Sequence, residues 1–132
     1  MNAWKEIQTG LRAPFKLSQL HWRQGRGGMQ LAYIDARDVA NRLDEVVGIE
    51  NWQDRYEEVS GRLMCYLSIR VEGEWITKSD GAGDTNIEGE KGGISDALKR
   101  ASQKFGVGRY LYYLPKNATA SNLPKWAIPN EL

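Results

Sequence analysis

The sequence predicts an α+β fold, a small antiparallel β-sheet packed by helices, and two kinds of periodicity predict it. Leu63, Cys65, Leu67, Ile69 and Val71 alternate with more polar residues, the signature of a strand with one buried face. Val39, Ala40, Leu43, Val46 and Val47, and later Ile94, Ala97, Leu98, Ala101 and Phe105, recur at helical spacing. Strands in series joined by short connections suit an antiparallel meander.

The elements follow in order along the chain. Residues 1–11 read as a short amphipathic helix with Trp4, Ile7 and Leu11 on one face. It packs on its own core or on a neighbouring subunit. After the Gly25–Gly28 stretch, a strand is expected over Gln30–Ile34. Asp35 is an N-cap for the helix that Gly48 stops. Three strands come next, Asn51–Val59, Leu63–Val71 and Glu74–Ser79, the last entered through a turn at Gly73. The acid- and glycine-rich Gly81–Gly93 segment reads as a loop. A second long helix spans roughly Gly92–Phe105 and ends at Gly106 and Gly108. There, Arg100 and Lys104 sit four apart on one flank, with Lys99 on the other side of the polar face. Pro115, Pro124 and Pro129 make 116–132 an extended tail, packed through Leu123 and Trp126 or mobile. The whole of 1–132 reads as one domain.

Composition excludes several function classes. No apolar run approaches the ~20 residues of a membrane span, and the N-terminus has no signal-peptide pattern. The single cysteine, Cys65, forms no internal disulfide and has no metal-ligand spacing around it, so a reducing compartment is the expectation. The net charge is only +1, but the charges are segregated. Between Gly10 and Ile34 every charge is basic: Arg12, Lys16, Arg23 and Arg26. From Asp38 to Glu90 thirteen acids face five bases, and from Lys91 to Lys125 seven bases face Asp96 alone. If folding unites the two basic blocks, a neutral chain acquires a positive stripe suited to a polyanion. Charge by itself also suits a solvated surface of alternating sign.

Enzyme chemistry lacks parts. His21 is the sole histidine, which leaves a multi-histidine metal site or a catalytic triad little to draw on. It suits a surface or strand position better. Glu90 before Lys91 and Gly92 after it break the phosphate-loop pattern. A nuclease-type E-x-K element fails at both Lys78 and Lys91. Asp80 and Asp84, two acids beside glycines, read as solvated turn residues rather than a cation site. No catalytic residue, metal or cofactor is assigned.

Binding chemistry is better supplied. Arginine and lysine neutralise phosphates, and aromatic faces stack on unpaired bases. Arg23 and Tyr33 flank a glycine-rich turn; Lys99, Arg100 and Lys104 offer cations along one helix, with Lys91 near its start. Each has a plainer reading as well. Tyr33 also fits an ordinary core, and Asp96 four residues before Arg100 also fits a surface ion pair.

The run Ile94-Ser95-Asp96-Ala97-Leu98-Lys99-Arg100-Ala101, then Lys104-Phe105-Gly106, resembles the signature helix of the Rad52 family of single-strand annealing proteins. Phe105-Gly106-Val107-Gly108-Arg109-Tyr110-Leu111-Tyr112 with Leu114-Pro115 is most similar to that family's phage Sak-type and bacterial DdrA-like branch. Ala13-Pro14-Phe15, Trp22-Arg23, Tyr33 through Val39, Leu43 through Gly48, Trp52, and Ser79 through Gly83 fall in the family's order. The resemblance runs from about Leu11 to Pro115.

This resemblance implies a β-β-β-α core, assembly into a ring or larger homo-oligomer, and a positive groove that holds single-stranded DNA without ATP. Its backbone-binding positions fall on Arg23, Lys91, Lys99 and Arg100, with Tyr33 as the groove's aromatic. A further family arginine falls on Gln103, while Lys104 next to it points about 100° away on an ideal helix. The family's outer DNA site uses basic residues near Gly81–Gly93, which the acidic loop here does not reproduce. The expected function is ATP-independent annealing of complementary strands in recombinational repair, by a cytoplasmic, nucleoid-associated protein of bacterial or phage origin. A single-strand-binding protein is a possible partner. The alternatives are an end-protection module without annealing activity and an oligomeric scaffold for an acidic protein.

Overall fold

The computed structural model describes residues 3–83 and 90–129; for Glu90 and Lys91 it describes the backbone alone. Among these residues three α-helices and five strands are arranged as α1 (Ala3–Arg12), β1 (His21–Gln24), β2 (Gln30–Tyr33), α2 (Ala36–Val47), β3 (Trp52–Val59), β4 (Arg62–Val71), β5 (Glu74–Gly81) and α3 (Glu90–Gln103). The α+β class is as expected, and β3, β4 and β5 form an antiparallel meander followed by α3.

Alternation places the helices. Cys65, Leu67, Ile69 and Val71 point from the central strand β4 into the core, where they are buried. α2 and α3 pack on that face, supplying Val39 and Leu43 from one and Ala97, Leu98 and Ala101 from the other. The opposite face is polar and aromatic. There the Arg55 guanidinium lies 4.3 Å from the Tyr66 ring centre, Arg70 lies 5.1 Å from that of Trp75, and Ser68 Oγ meets Thr77 Oγ1 at 2.7 Å.

α2 begins as its sequence dictates. Asp35 Oδ1 accepts from the Asp38 amide at 2.9 Å, and Asp38 Oδ2 accepts from the Asp35 amide at 3.0 Å. This reciprocal cap satisfies two amides that the first turn leaves without partners. α1 is tied to α2 by Arg42, 9% exposed. Arg42 donates to the carbonyls of Gly10, Leu11, Ala13 and Pro14 at 2.7–3.3 Å and stacks 3.9 Å over the Phe15 ring.

Two expectations need correction. The strand at Gln30 does not join the meander. It pairs antiparallel with β1, in the register His21↔Tyr33 and Arg23↔Leu31, as a separate two-stranded hairpin. Gly27 and Gly28, at φ +68° and +80°, make the reversal between them. Second, α3 begins at Glu90 and ends at Gln103, so Gly92 and Gly93 lie inside it and Lys104 lies beyond it. The rest of the expected Gly81–Gly93 loop, with Asp84, lies outside the described residues. In the tail, Ala118 and Ala127 are buried and Leu123 packs against the core, while Trp126 is 52% exposed.

Cys65 is fully buried in the core. Burial, with the nearby Asp54 carboxylate adding to it, outweighs the Tyr56 hydroxyl beside the sulfur and pushes the thiol up to about 11. At pH 8 a thiol of that pKa holds about one thiolate per thousand molecules. Iodoacetamide at pH 8 is therefore expected to leave the native protein unmodified and to alkylate Cys65 fully in denaturant, as read by intact mass. Rapid native alkylation would contradict this placement.

Candidate nucleic-acid interface

The hairpin, one face of α3 and the segment after it enclose an open cleft of about 610 Å³. Helical geometry supplies one wall. Asp96, Lys99, Arg100 and Gln103 stand at i, i+3, i+4 and i+7, so all four present to one side of α3. The other side, Ala97, Leu98 and Ala101, is in the core. Strand register supplies the facing wall. Arg23 and Leu31 are directly paired and, with Tyr33 two residues on from Leu31, share one face of the hairpin. The third wall includes Tyr112 and Lys116.

Arg23, Tyr33, Lys99 and Arg100, chosen from sequence, thus line a single cleft although four strands and the helix α2 separate Arg23's strand from α3 along the described residues. Lys99 Nζ stands 5.6 Å from the Tyr33 ring centre, and the His21 ring lies 5.3 Å from it on the hairpin. Tyr33 is therefore a cleft residue and not an ordinary core one, 36% exposed. The arrangement on α3 differs from the expected one. Lys99 and Arg100 face the cleft together, whereas Lys104, beyond the helix end, is exposed and is not among the lining residues. Lys91 lies in the first turn of α3, with its side chain outside the described residues.

Electrostatics favour an anion. Arg23, Lys99, Arg100 and Lys116 line the cleft against Asp96 as its one acid among the described residues. Asp96 Oδ2 accepts from Arg100 Nε at 3.0 Å and from the Gly83 amide at 3.3 Å. Burial acts to raise the Asp96 pKa, but the bonds from Arg100 and Gly83 and the charge of Lys99 together lower it. Asp96 stays ionised and aims the guanidinium. It also joins α3 to the strand-end Asp80-Gly81-Ala82-Gly83 element, where Asp80 Oδ1 accepts from the Gly81 amide at 2.7 Å.

The sequence marks neither Lys116 nor Tyr112 as a cleft residue, and marks Gln103 only as the position where the family's further arginine falls. Gln103 Nε2 donates to the Tyr112 hydroxyl at 2.8 Å, and the Gln103 carbonyl accepts from Arg109 Nε at 2.9 Å. Where the resembling family carries arginine, this chain has an amide that holds a tyrosine.

One other cluster meets metal-site geometry in outline. His21 Nε2 lies 3.5 Å from Asp35 Oδ2 and 3.7 Å from Asp38 Oδ2. Both carboxylates already cap α2, which accounts for their positions. Among the described residues no helix is long and apolar enough to cross a membrane.

The comparisons agree with the geometry. A family model described as the Rad52/22 family double-strand break repair protein matches residues 3–127. Two relatives, both named single-stranded DNA-binding protein DdrA, are similar over most of their length. The one from Deinococcus deserti is 34% identical, covering 95% of this chain and 71% of its own. The one from Deinococcus radiodurans is 32% identical, covering 95% and 69%.

Proposed function

This chain belongs to the Rad52/22 family of double-strand break repair proteins, and from that premise we propose that it binds single-stranded DNA along its backbone and promotes annealing of complementary strands without ATP. The observation that carries the reading is the convergence of Arg23, Lys99 and Arg100 around Tyr33 in one cleft. Cations spaced along a groove hold successive phosphates and make no base-edge contacts. Base edges then remain free to test a second strand. Assembly into a homo-oligomer, by family resemblance a ring, would multiply weak contacts and align bases. The same reading makes it a non-enzymatic, nucleoid-associated protein of the cytoplasm that acts beside a single-strand-binding protein.

A second reading is end protection without annealing. It shares with the first the single-stranded DNA binding that the relatives' names state. The discriminating experiment follows duplex formation from two complementary fluorescent oligonucleotides across a salt series, without ATP or metal. Annealing that is accelerated and fades as salt rises supports the first reading. Tight strand binding with no acceleration supports end protection. Absence of binding at low salt overturns both and leaves the acidic-protein scaffold.

A further inference from the structure

Tyr112 is 70% exposed yet fixed in place. Its hydroxyl accepts from Gln103 on the last turn of α3 at 2.8 Å. Gly108, at φ +71°, starts the short turn Arg109–Tyr113 that carries it. A Cβ at Gly108 would come within 2.9 Å of Ile34 Cδ1, so the turn is seated against the end of the hairpin. Arg109 anchors the same turn to the Gln103 carbonyl. The result is an aromatic ring held at its polar end with most of its surface open, on the wall of the cleft that also carries Lys116.

The two cleft tyrosines differ in availability. Tyr33 has Lys99 over its ring at 5.6 Å and the His21 ring at 5.3 Å, and is half as exposed as Tyr112. Fixing an aromatic face before a ligand arrives removes part of the ordering cost of binding. The ligand chemistry that uses such a face beside cations is an unpaired nucleobase attached to phosphates.

We propose that Tyr112 is a stacking platform for one nucleobase of the bound strand, with Lys116 on a neighbouring phosphate. This role rests on the single-strand reading of the cleft. Stacking occupies the face of a base and leaves its pairing edge free, so it is compatible with annealing. It also gives Gln103 a positive function: holding the platform, where an arginine would have added a phosphate contact.

The test is fluorescence anisotropy with labelled oligo-dT and with a fully abasic strand of equal length. Loss of one base stack corresponds to a roughly five- to hundredfold weaker Kd. Tyr112→Ala should show that loss on oligo-dT with an unchanged salt slope, because no charge is removed. Tyr112→Phe keeps the ring but releases it from Gln103, and should bind between the unaltered protein and Tyr112→Ala, losing only a minor part of what Tyr112→Ala loses. The unaltered protein should itself bind the abasic strand more weakly than oligo-dT, a comparison that needs no variant. Equal binding of Tyr112→Ala and unaltered protein to oligo-dT would overturn the platform while leaving single-strand binding intact. Equal weakening in Tyr112→Phe would assign the effect to the hydroxyl and overturn stacking. Failure of the unaltered protein to bind any strand would remove the underlying reading as well.

Discussion

Replacement of Lys99 and Arg100 together by alanine is expected to weaken single-stranded DNA binding about 25-fold at 0.1 M salt, equally for every sequence. The magnitude follows from counterion release. Each lost phosphate contact removes about 0.7 from the slope of log affinity against log salt on single strands, and so about 0.7 log units per decade below 1 M. Two contacts give about 1.4 in both slope and log affinity at 0.1 M. The double variant also leaves Asp96 ionised in the cleft without the guanidinium that faces it, which adds repulsion and makes the figure a lower bound. Stability should change little, since Arg100 is exposed and its ion pair with Asp96 is of a kind worth only a few tenths of a kcal/mol. Salt titrations of fluorescence anisotropy on oligo-dT and on a mixed sequence check both magnitude and uniformity. A folded double variant with unaltered affinity and slope would refute the assignment of these residues.

The largest effect on stability is expected at Arg42. The carbonyls at the end of a helix have no intrahelical donors, and Arg42 reaches from α2 to those of Gly10 and Leu11 in α1 and of Ala13 and Pro14 just after it. Alanine would leave the buried Leu11 carbonyl and the part-buried Ala13 and Pro14 carbonyls without this donor, and would remove the guanidinium from the Phe15 ring, itself 1% exposed. An unsatisfied buried polar group costs about 1–3 kcal/mol. Arg42→Ala should therefore destabilise the domain by about 3–5 kcal/mol, a large share of the 5–15 kcal/mol typical of a native domain. Arg42→Lys keeps the charge but loses the planar fork that spans several oxygens, and should lose roughly half as much. Urea denaturation measures both. A loss under about 1 kcal/mol for alanine would mean that water or backbone adjustment replaces these bonds.

Most of the fold was legible because its determinants are local. The Asp35 cap, the β4 alternation and the apolar period of α3 each sit within a dozen residues. What was not legible depends on distant partners. β1 is four residues long, His21–Gln24, and shows no burial alternation, so it registers as a strand only once β2 lies beside it. Arg42 reads as a polar-face residue of α2 because its acceptors lie about thirty positions earlier. The glycine- and acid-rich Gly81–Gly93 segment argued for a loop and a helix start near Gly92, yet α3 begins at Glu90 and runs through both Gly92 and Gly93. In the candidate site, the helical positions of Lys99 and Arg100 were readable. Lys104 was grouped with them because its i+4 spacing from Arg100 assumes a helix that in fact ends at Gln103. Tyr112 lies in the run that resembles the family, but nothing there marks it as a cleft residue, as its place depends on how the chain leaves α3.

The separation of the β1–β2 hairpin from the main sheet has a consequence for breathing motions. A two-stranded ribbon with four residues per strand has little stability of its own. Here it carries one wall of the cleft, while the facing wall belongs to a helix rooted in the core. The two walls therefore occupy different levels of the protein's ladder of partial openings. Hydrogen–deuterium exchange is expected to show the amides of Trp22–Gln24 exchanging through local openings and those of Ala97–Ala101 only through global unfolding. On that ordering, the hairpin wall would yield to a ligand at lower cost than the helix wall, without loosening the core.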